Sequence, residues 1–436
     1  MEKTLVVMRH GKAMAPEQGQ PDKDRSLTEA GALALGARLP RMLRLLEAGD
    51  ATLQIWSSPA KRARQTARLL EAALREREIP LKKGIEAHEC LWEQDIDGFL
   101  NDLRASDADF ICVVGHVPFA EDVVEELAGS TPPFSTGGLC CLRVNLAEAD
   151  EQGSSSAADR ARLLWFAQGP IAAHWDTFVQ LQAALTKTAE IIEDRRAAFF
   201  ANPEDIETIH RFRTNIRTLR SFVAFIKPWQ NAQQNVETQA LLKEIVGYTS
   251  RLRELDVLEK HVRATEGFSS KTCASCKKEA ATERAHVLKI LTSKQVVRAF
   301  ERAMSLAKNV VWKKRYLRQG LPAKVVRARF DALIASVEAD LSTLDLSDAE
   351  RTHDVRKRAK RARYVAEFNE GILGADSVEI AQNMVAHQDH LGDICDARAN
   401  IRLIDEFHRH DLPKAVAHDL ARMREQNESF LRDALA

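Results

Sequence analysis

No run of eighteen apolar residues occurs in this chain, so no segment of it reads as a membrane-spanning helix. The opening MEKTLVVMRHG has neither the length nor the cleavage pattern of a secretory leader, and a cytoplasmic address is expected. Cysteine is scarce and scattered, seven in 436 residues, which argues against a disulfide framework and for a reducing compartment. Net charge is zero over the whole chain. An apolar content of 45% with 29% charged residues excludes wholesale disorder, and the length calls for at least two domains.

The zero hides a split. Residues 1–170 hold 20 Lys and Arg against 26 Asp and Glu, whereas the remainder holds 43 against 37, giving about −6 and +6. Glycine and proline thin out at the same point. Before it, strand-like runs LVVMRHG, LQIWSSP and DFICVVGHV alternate with amphipathic segments starting SLTEAGALALGARL and KRARQTARLL, as in a mostly parallel sheet covered by helices. Ser26 or Thr28 is placed to cap the former helix. GLCCLRVNL and RLLWFAQG read as two more strands joined by the long hairpin loop AEADEQGSSSAADRA. The boundary is expected near Gly169 and Pro170, giving domains 1–170 and 171–436.

Parallel strands deliver functional residues at their carboxyl edge. Here the first strand ends in Arg9, His10 and Gly11, the second leads to Arg62 on the opening turn of a helix, and the third ends in His116. Two arginines and two histidines with no acid among them suit a phosphate dianion: the guanidinium forks hold oxygens and a neutral His10 attacks phosphorus. Gly11 permits close backbone approach. Each histidine alone also reads as a structural residue or a metal ligand, but two arginines without carboxylate or thiolate make a poor metal site.

Arg-His-Gly, SLTEAG, SSPAKRARQT and VVGHVPF, in that order, resemble the histidine phosphatase superfamily, most of all its small phosphohistidine phosphatases, over residues 1–170. The resemblance implies that His10 is the phosphorylated nucleophile, that Arg9, Arg62 and His116 bind the transferring phosphoryl group, and that Arg25 belongs to the pocket rim. Many relatives carry a glutamate after the second helix as general acid. Glu89 stands at a comparable place, with Glu86 and Glu93 as competitors. No cofactor is implied. A weak acid would favour phosphohistidine over alkyl phosphates, since its imidazole leaves with little help.

Beyond residue 170 the pattern is all helical and it repeats. HRFRTNIRTLR from His210 and HDVRKRAKRAR from His353 share a His-x-x-Arg spacing, and each is followed by an aspartate motif, around Asp256 and Asp396. Duplicated helical bundles, about 175–265 and 285–436, are the simplest account. Ile209, Phe212, Ile216, Leu219, Val223 and Ile226 form a core stripe. Beside it run His210, Arg213, Arg217 and Arg220; in the second copy His353, Arg356, Lys357, Lys360, Arg361 and Tyr364 share a face, flanked by Val355, Ala359, Ala362 and Ala366. One basic stripe is usually a solvated face, but two in duplicated units can form one groove, which WKKRYLRQ near Lys313–Arg318 is placed to extend.

These repeats resemble the conserved histidine α-helical domain, CHAD, over residues 175–436. The resemblance implies two paired four-helix bundles with inorganic polyphosphate bound in a basic channel between them. A bare phosphate chain asks for cations without interleaved aromatics, and no nucleic acid is expected as partner. The polar segment about 262–284 departs from the repeat; its Cys273 and Cys276 form a lone CxxC without a second pair, read as part of a flexible loop rather than a zinc site. The expected protein is a metal-independent phosphatase acting on a phosphorylated protein or small phosphorylated substrate. Polyphosphate is its tether, the protein then associating with polyphosphate granules, or its substrate. A non-catalytic polyphosphate scaffold is the remaining alternative.

Overall fold

A computed structural model describes residues 2–46, 53–130, 132–145, 161–407 and 412–435. The chain divides into two compact units, residues 1–179 with 314–322, and residues 180–313 with 323–436.

The first unit is built on a six-stranded sheet of β1 (Glu2–Arg9), β2 (Leu53–Ser57), β3 (Leu81–Ala87), β4 (Phe110–Gly115), β5 (Leu139–Asn145) and β6 (Ala161–Ala167), in the order β3-β2-β4-β1-β5-β6. The first four of that order run parallel, and β5 and β6 add an antiparallel edge. The loop expected between them falls at residues 146–160, outside the described residues. Helices α1 (Glu29–Met42), α2 (Lys61–Glu76), α3 (Cys90–Glu93), α4 (Ile96–Ala105) and α5 (Phe119–Ala128) join the strands.

Strand alternation sorts the core. Val6, Met8, Ile55, Cys112 and Val114 face α1 and α2, while Leu5, Val7, Trp56, Ile111 and Val113 face α4 and α5. Both faces are dry, which is why these strands read as continuous apolar runs. Each such side chain contributes about 1.5–3 kcal/mol by burial. Of the two expected caps, Thr28 is the one used: its Oγ1 accepts from Gly31 N at 2.9 Å.

In the second unit α6 (Ala173–Ala201) is followed by α7 (Ile206–Ile226), α8 (Ala232–Gly247), α9 (Ser250–Ala264), α10 (Ser270–Leu291) and α11 (Lys294–Lys308). After α12 (Lys314–Gln319), which belongs to the first unit, come α13 (Ala323–Ser342), α14 (Ala349–Phe368), α15 (Glu370–Leu373), α16 (Asp376–Phe407) and α17 (Lys414–Leu435). The two repeat helices, α7 and α14, begin with aspartate caps, Asp205 and Asp348. They bury the expected apolar stripes and pack against each other.

Two expectations are corrected here. The CxxC segment is helix α10, not a loop. Its Thr272, Cys276, Ala280, Arg284, Val287 and Leu291 are buried at helical spacing, and Cys276 and Ala280 join a core with Leu255, Leu258, Ile404 and Leu420. Small and charged residues on that face had disguised the period. Second, Lys314–Pro322 does not extend the basic groove: it belongs to the first unit, where α12 packs on α1, Trp175 Nε1 donates to Leu317 O at 2.9 Å and Leu321 N donates to His174 O at 2.7 Å.

Candidate functional site

Register puts the two histidines side by side. Arg9 is level with Gly115 across β1 and β4, so His10 and His116 follow at neighbouring strand ends, their ring centroids 5.0 Å apart. Ser57 is level with Val114, which sets Ser58 Oγ 2.8 Å from His116 Nε2. A Cβ on Gly11 would lie 2.4 Å from Leu35 Cδ1, so a side chain there would push on α1.

The ring of His10 has two different ends. Nδ1 lies 2.7 Å from Gly11 O, which can only accept, so Nδ1 carries the proton. Nε2 accepts from Arg62 Nε at 3.1 Å. Burial lowers the pKa of His10 to about 4; the bond to Gly11 opposes this and the charges of Arg62, Arg9 and Arg25 add to it. Burial, then His10 and Arg62, lowers His116 to about 3. Both rings are therefore neutral at pH 7.

Arg9, His10, Asp22, Arg62, Trp92, Gln94, His116 and Val117 line a cavity of about 270 Å³. Arg9 Nε and His116 Nδ1 are buried without a hydrogen-bond partner among the described residues. Arg9 is anchored through Nη1 to Phe134 O at 2.6 Å. Trp92 forms a wall, edge-on to His116 at 5.3 Å and beneath the Arg62 guanidinium at 5.6 Å. The four expected residues thus converge.

The expectation of an acid-free cluster is corrected by Asp22. Its Oδ2 accepts from Arg62 Nη2 at 2.6 Å, its carbonyl accepts from Arg62 Nη1 at 2.5 Å, and its Oδ1 pairs with Arg25 at 2.5 Å. Burial alone would raise the Asp22 pKa, but the bonds to Arg25 and Arg62 outweigh it and lower it, so the carboxyl is ionised. Arg25 thus acts on the carboxylate that holds Arg62. Glu89 does not line the cavity: its side chain is 61% exposed and pairs with Lys23 at 3.2 Å. Glu86 and Glu93 do not line it either.

A second cavity, of about 700 Å³, lies in the helical unit. His210, Arg213 and Arg217 reach it from α7, and His353, Arg356, Lys360 and Tyr364 from α14. Arg253, Arg398 and Arg402 join them from α9 and α16; the first two lie within the repeated aspartate motifs, which are legible by their aspartates and not by these cations. Arg220, Lys357 and Arg361 do not line it, and Lys357 pairs with Asp354 at 3.1 Å on the surface. Arg213 is buried, donating to Val246 O at 2.9 Å and Thr249 Oγ1 at 2.5 Å. Burial, reinforced by Arg356 and Arg217, lowers Lys360 to about 8. Burial also lowers His210 and His353. Of the two aspartate motifs, Asp396 lines this cavity, whereas Asp256 is buried against Arg284 of α10 at 2.5 Å.

Residues 183–405 match the model of the CHAD domain. The chain belongs to the CHAD family. Ahead of that domain, residues 5–108 match the histidine phosphatase superfamily (branch 1), and the first unit is a phosphatase domain of that superfamily. Solved structures similar to the chain include a SixA from Nakamurella multipartitia, named for phosphohistidine phosphatase. That pair shows 25% identity over 39% of this chain and 98% of that one, TM-score 0.31. A protein histidine phosphatase SixA complexed with tungstate shows 23% identity over 38% and 96%, TM-score 0.30. The CHAD domain of Ricinus communis shows 22% over 59% and 90%, TM-score 0.49. No curated protein matches the chain. The basic cavity lies inside the CHAD match, and Arg9, His10 and Arg62 lie inside the phosphatase match; His116 follows its end.

Proposed function

We propose that the first unit is a metal-independent phosphatase working through phospho-His10, most simply on a protein phosphohistidine, and that the CHAD domain tethers it to inorganic polyphosphate, with the division near residue 170. The observation that carries the catalytic reading is the bond from His10 Nδ1 to Gly11 O, which puts the proton on Nδ1 and leaves Nε2 as the nucleophilic atom, its lone pair held by Arg62 Nε until a phosphate oxygen takes that N–H. Nε2 attacks phosphorus, the bond to the leaving group breaks, and water then displaces the phosphoryl group from His10. Arginine charge stabilises the equatorial oxygens, which is the work a metal does elsewhere.

Among the described residues Asp22 is the sole carboxyl group lining the cavity, and it is ionised. A site without a carboxylic acid favours leaving groups that need little protonation. Phosphohistidine meets that condition, and so does a polyphosphate chain end, which favours substrate feeding as the second reading. Incubating the purified chain separately with a phosphohistidine protein and with polyphosphate, and measuring phosphate release, separates the two. Release from neither would overturn the catalytic reading and leave a scaffold.

The tether reading rests on the cationic cavity of the CHAD domain. Seven Lys and Arg side chains line it against three carboxylates, Glu254, Glu350 and Asp396. Arg356 Nε is buried there without a partner among the described residues, a donor suited to a phosphate oxygen. Retention of the chain on immobilised polyphosphate, released by salt, is the expected result; salt-insensitive or absent retention would end this reading. A cytoplasmic, granule-associated location follows from that binding as part of the proposal.

A further inference from the structure

Three side chains with different donor atoms meet where β3 ends and α3 begins. None of them lines the phosphate cavity. His88 follows β3, and its amide donates to Ser57 O at 3.0 Å. Its ring stacks on buried Trp56 with centroids 4.2 Å apart and planes at 25°, which fixes its orientation. Nδ1 then lies 2.8 Å from Oδ2 of Asp102 on α4, and the Sγ of Cys90, which opens α3, lies 3.8 Å from the same oxygen. All three donor atoms fall within 4.8 Å of one another. On the opposite edge of the ring, Nε2 faces Glu86 Oε2 at 4.0 Å.

Tetrahedral zinc with bonds of about 2.0–2.3 Å holds its ligand atoms roughly 3.3–3.8 Å apart, so small adjustments from these separations complete a site. A metal-bound imidazole usually gives its second N–H to a carboxylate, and Glu86, 4.0 Å from Nε2, needs to close by about 1 Å to take that N–H. A plain His88–Asp102 ion pair explains neither the thiol beside it nor the carboxylate behind it. A set of one nitrogen, one sulfur and one oxygen is too soft for magnesium or calcium and suits zinc.

We propose that His88 Nδ1, Cys90 Sγ and Asp102 Oδ2 bind one zinc-type divalent cation, with solvent as the fourth ligand. On binding, the Cys90 thiol releases its proton to solvent and the His88 proton moves from Nδ1 to Nε2, where Glu86 accepts the hydrogen bond. The cation takes no part in phosphoryl transfer. It ties α3 to α4, and α3 carries Trp92, the wall of the phosphate cavity. The CxxC pair is a separate matter, because Cys276 is committed to a hydrophobic core.

The test is titration of the reduced full-length chain with Zn²⁺, and with Co²⁺ as a spectroscopic substitute. One equivalent of Co²⁺ should bind with a thiolate charge-transfer band in the near ultraviolet. Cys90→Ser should abolish the band, His88→Gln and Asp102→Asn should each weaken zinc binding by about tenfold or more, and Cys273→Ser should change nothing. Far-UV circular dichroism reports whether each variant folds, and His88→Gln or Asp102→Asn decides the matter if Cys90→Ser does not. A band that survives in folded Cys90→Ser, or a wild-type chain that takes up no zinc at micromolar concentration, overturns the proposal.

Discussion

His10 sits between a carbonyl that only accepts and a guanidinium that only donates, so one tautomer is imposed before any substrate arrives. Replacing it with alanine should cut turnover of a small phosphate ester or phosphohistidine at least about a thousandfold, with the far-UV spectrum unchanged. Wild-type enzyme quenched in mid-reaction should carry acid-labile, base-stable phosphate on His10; label on a serine or on another histidine contradicts this. Both buried histidines have pKa values below their ordinary 6.5, at about 4 and about 3. The unfolded chain therefore takes up protons first on acidification, so the stability present above pH 6.5 is lost as pH falls towards 4. Thermal melts at pH 7 and pH 5 should show the lower midpoint at pH 5, with a smaller difference in His116→Gln. Asp22 offers a separate test, because its charge opposes any anion that approaches Arg62. Asp22→Asn should tighten inhibition by inorganic phosphate several-fold; weaker inhibition would mean that Asp22 serves chiefly to hold Arg62 in place.

At the scale of elements, α7 and α14 each carry cations that reach the cavity and cations that do not, so the repeat predicts its own controls. Neutralising Arg356 and Lys360 should weaken polyphosphate binding and flatten its salt dependence, whereas neutralising Lys357 and Arg361 should do neither. Lys360 adds a pH signature. With a pKa lowered to about 8 it loses charge as pH rises from 7 to 9. Affinity should fall over that interval in the wild type and less in Lys360→Arg, as read by titration calorimetry. Arg213 is a poor probe by comparison, since it is buried and its removal deletes charge-assisted bonds to Val246 O and Thr249 Oγ1, which should cost about 1.5–3 kcal/mol of stability. What was legible in these elements follows from burial. The strands β1, β2 and β4, covered on both faces, announced themselves as apolar runs and carried Arg9, His10 and His116 in view. The edge strand LKKGIEA, with two lysines and a glycine, carries no such signal. Asp22 was hidden because it comes from a short turn far from the strand ends, and only its position three residues before Arg25 offered a hint. Helix α10 was hidden because alanine, threonine, cysteine and arginine form most of its buried face.

For the molecule as a whole, the question is whether the phosphatase domain and the CHAD domain share a substrate. The acidic excess of the first 170 residues and the basic excess of the rest fit a division of labour, with the polyanion confined to the CHAD domain. If polyphosphate is a tether, a variant lacking Arg356 and Lys360 should hydrolyse a small phosphohistidine substrate at the wild-type rate while losing polyphosphate affinity. Its turnover of polyphosphate, if the wild type has any, should then be unchanged, because chain ends reach His10 from solution. If the CHAD domain instead feeds chain ends to His10, the same variant should lose polyphosphate hydrolysis selectively, through a raised KM at low salt. High salt should erase the difference between wild type and variant, since released counterions no longer favour binding. The comparison needs only phosphate release from two substrates at two salt concentrations, and it is informative because the residues changed lie in a core separate from that of His10. Equal loss on both substrates would count against either reading and point to damage of the fold.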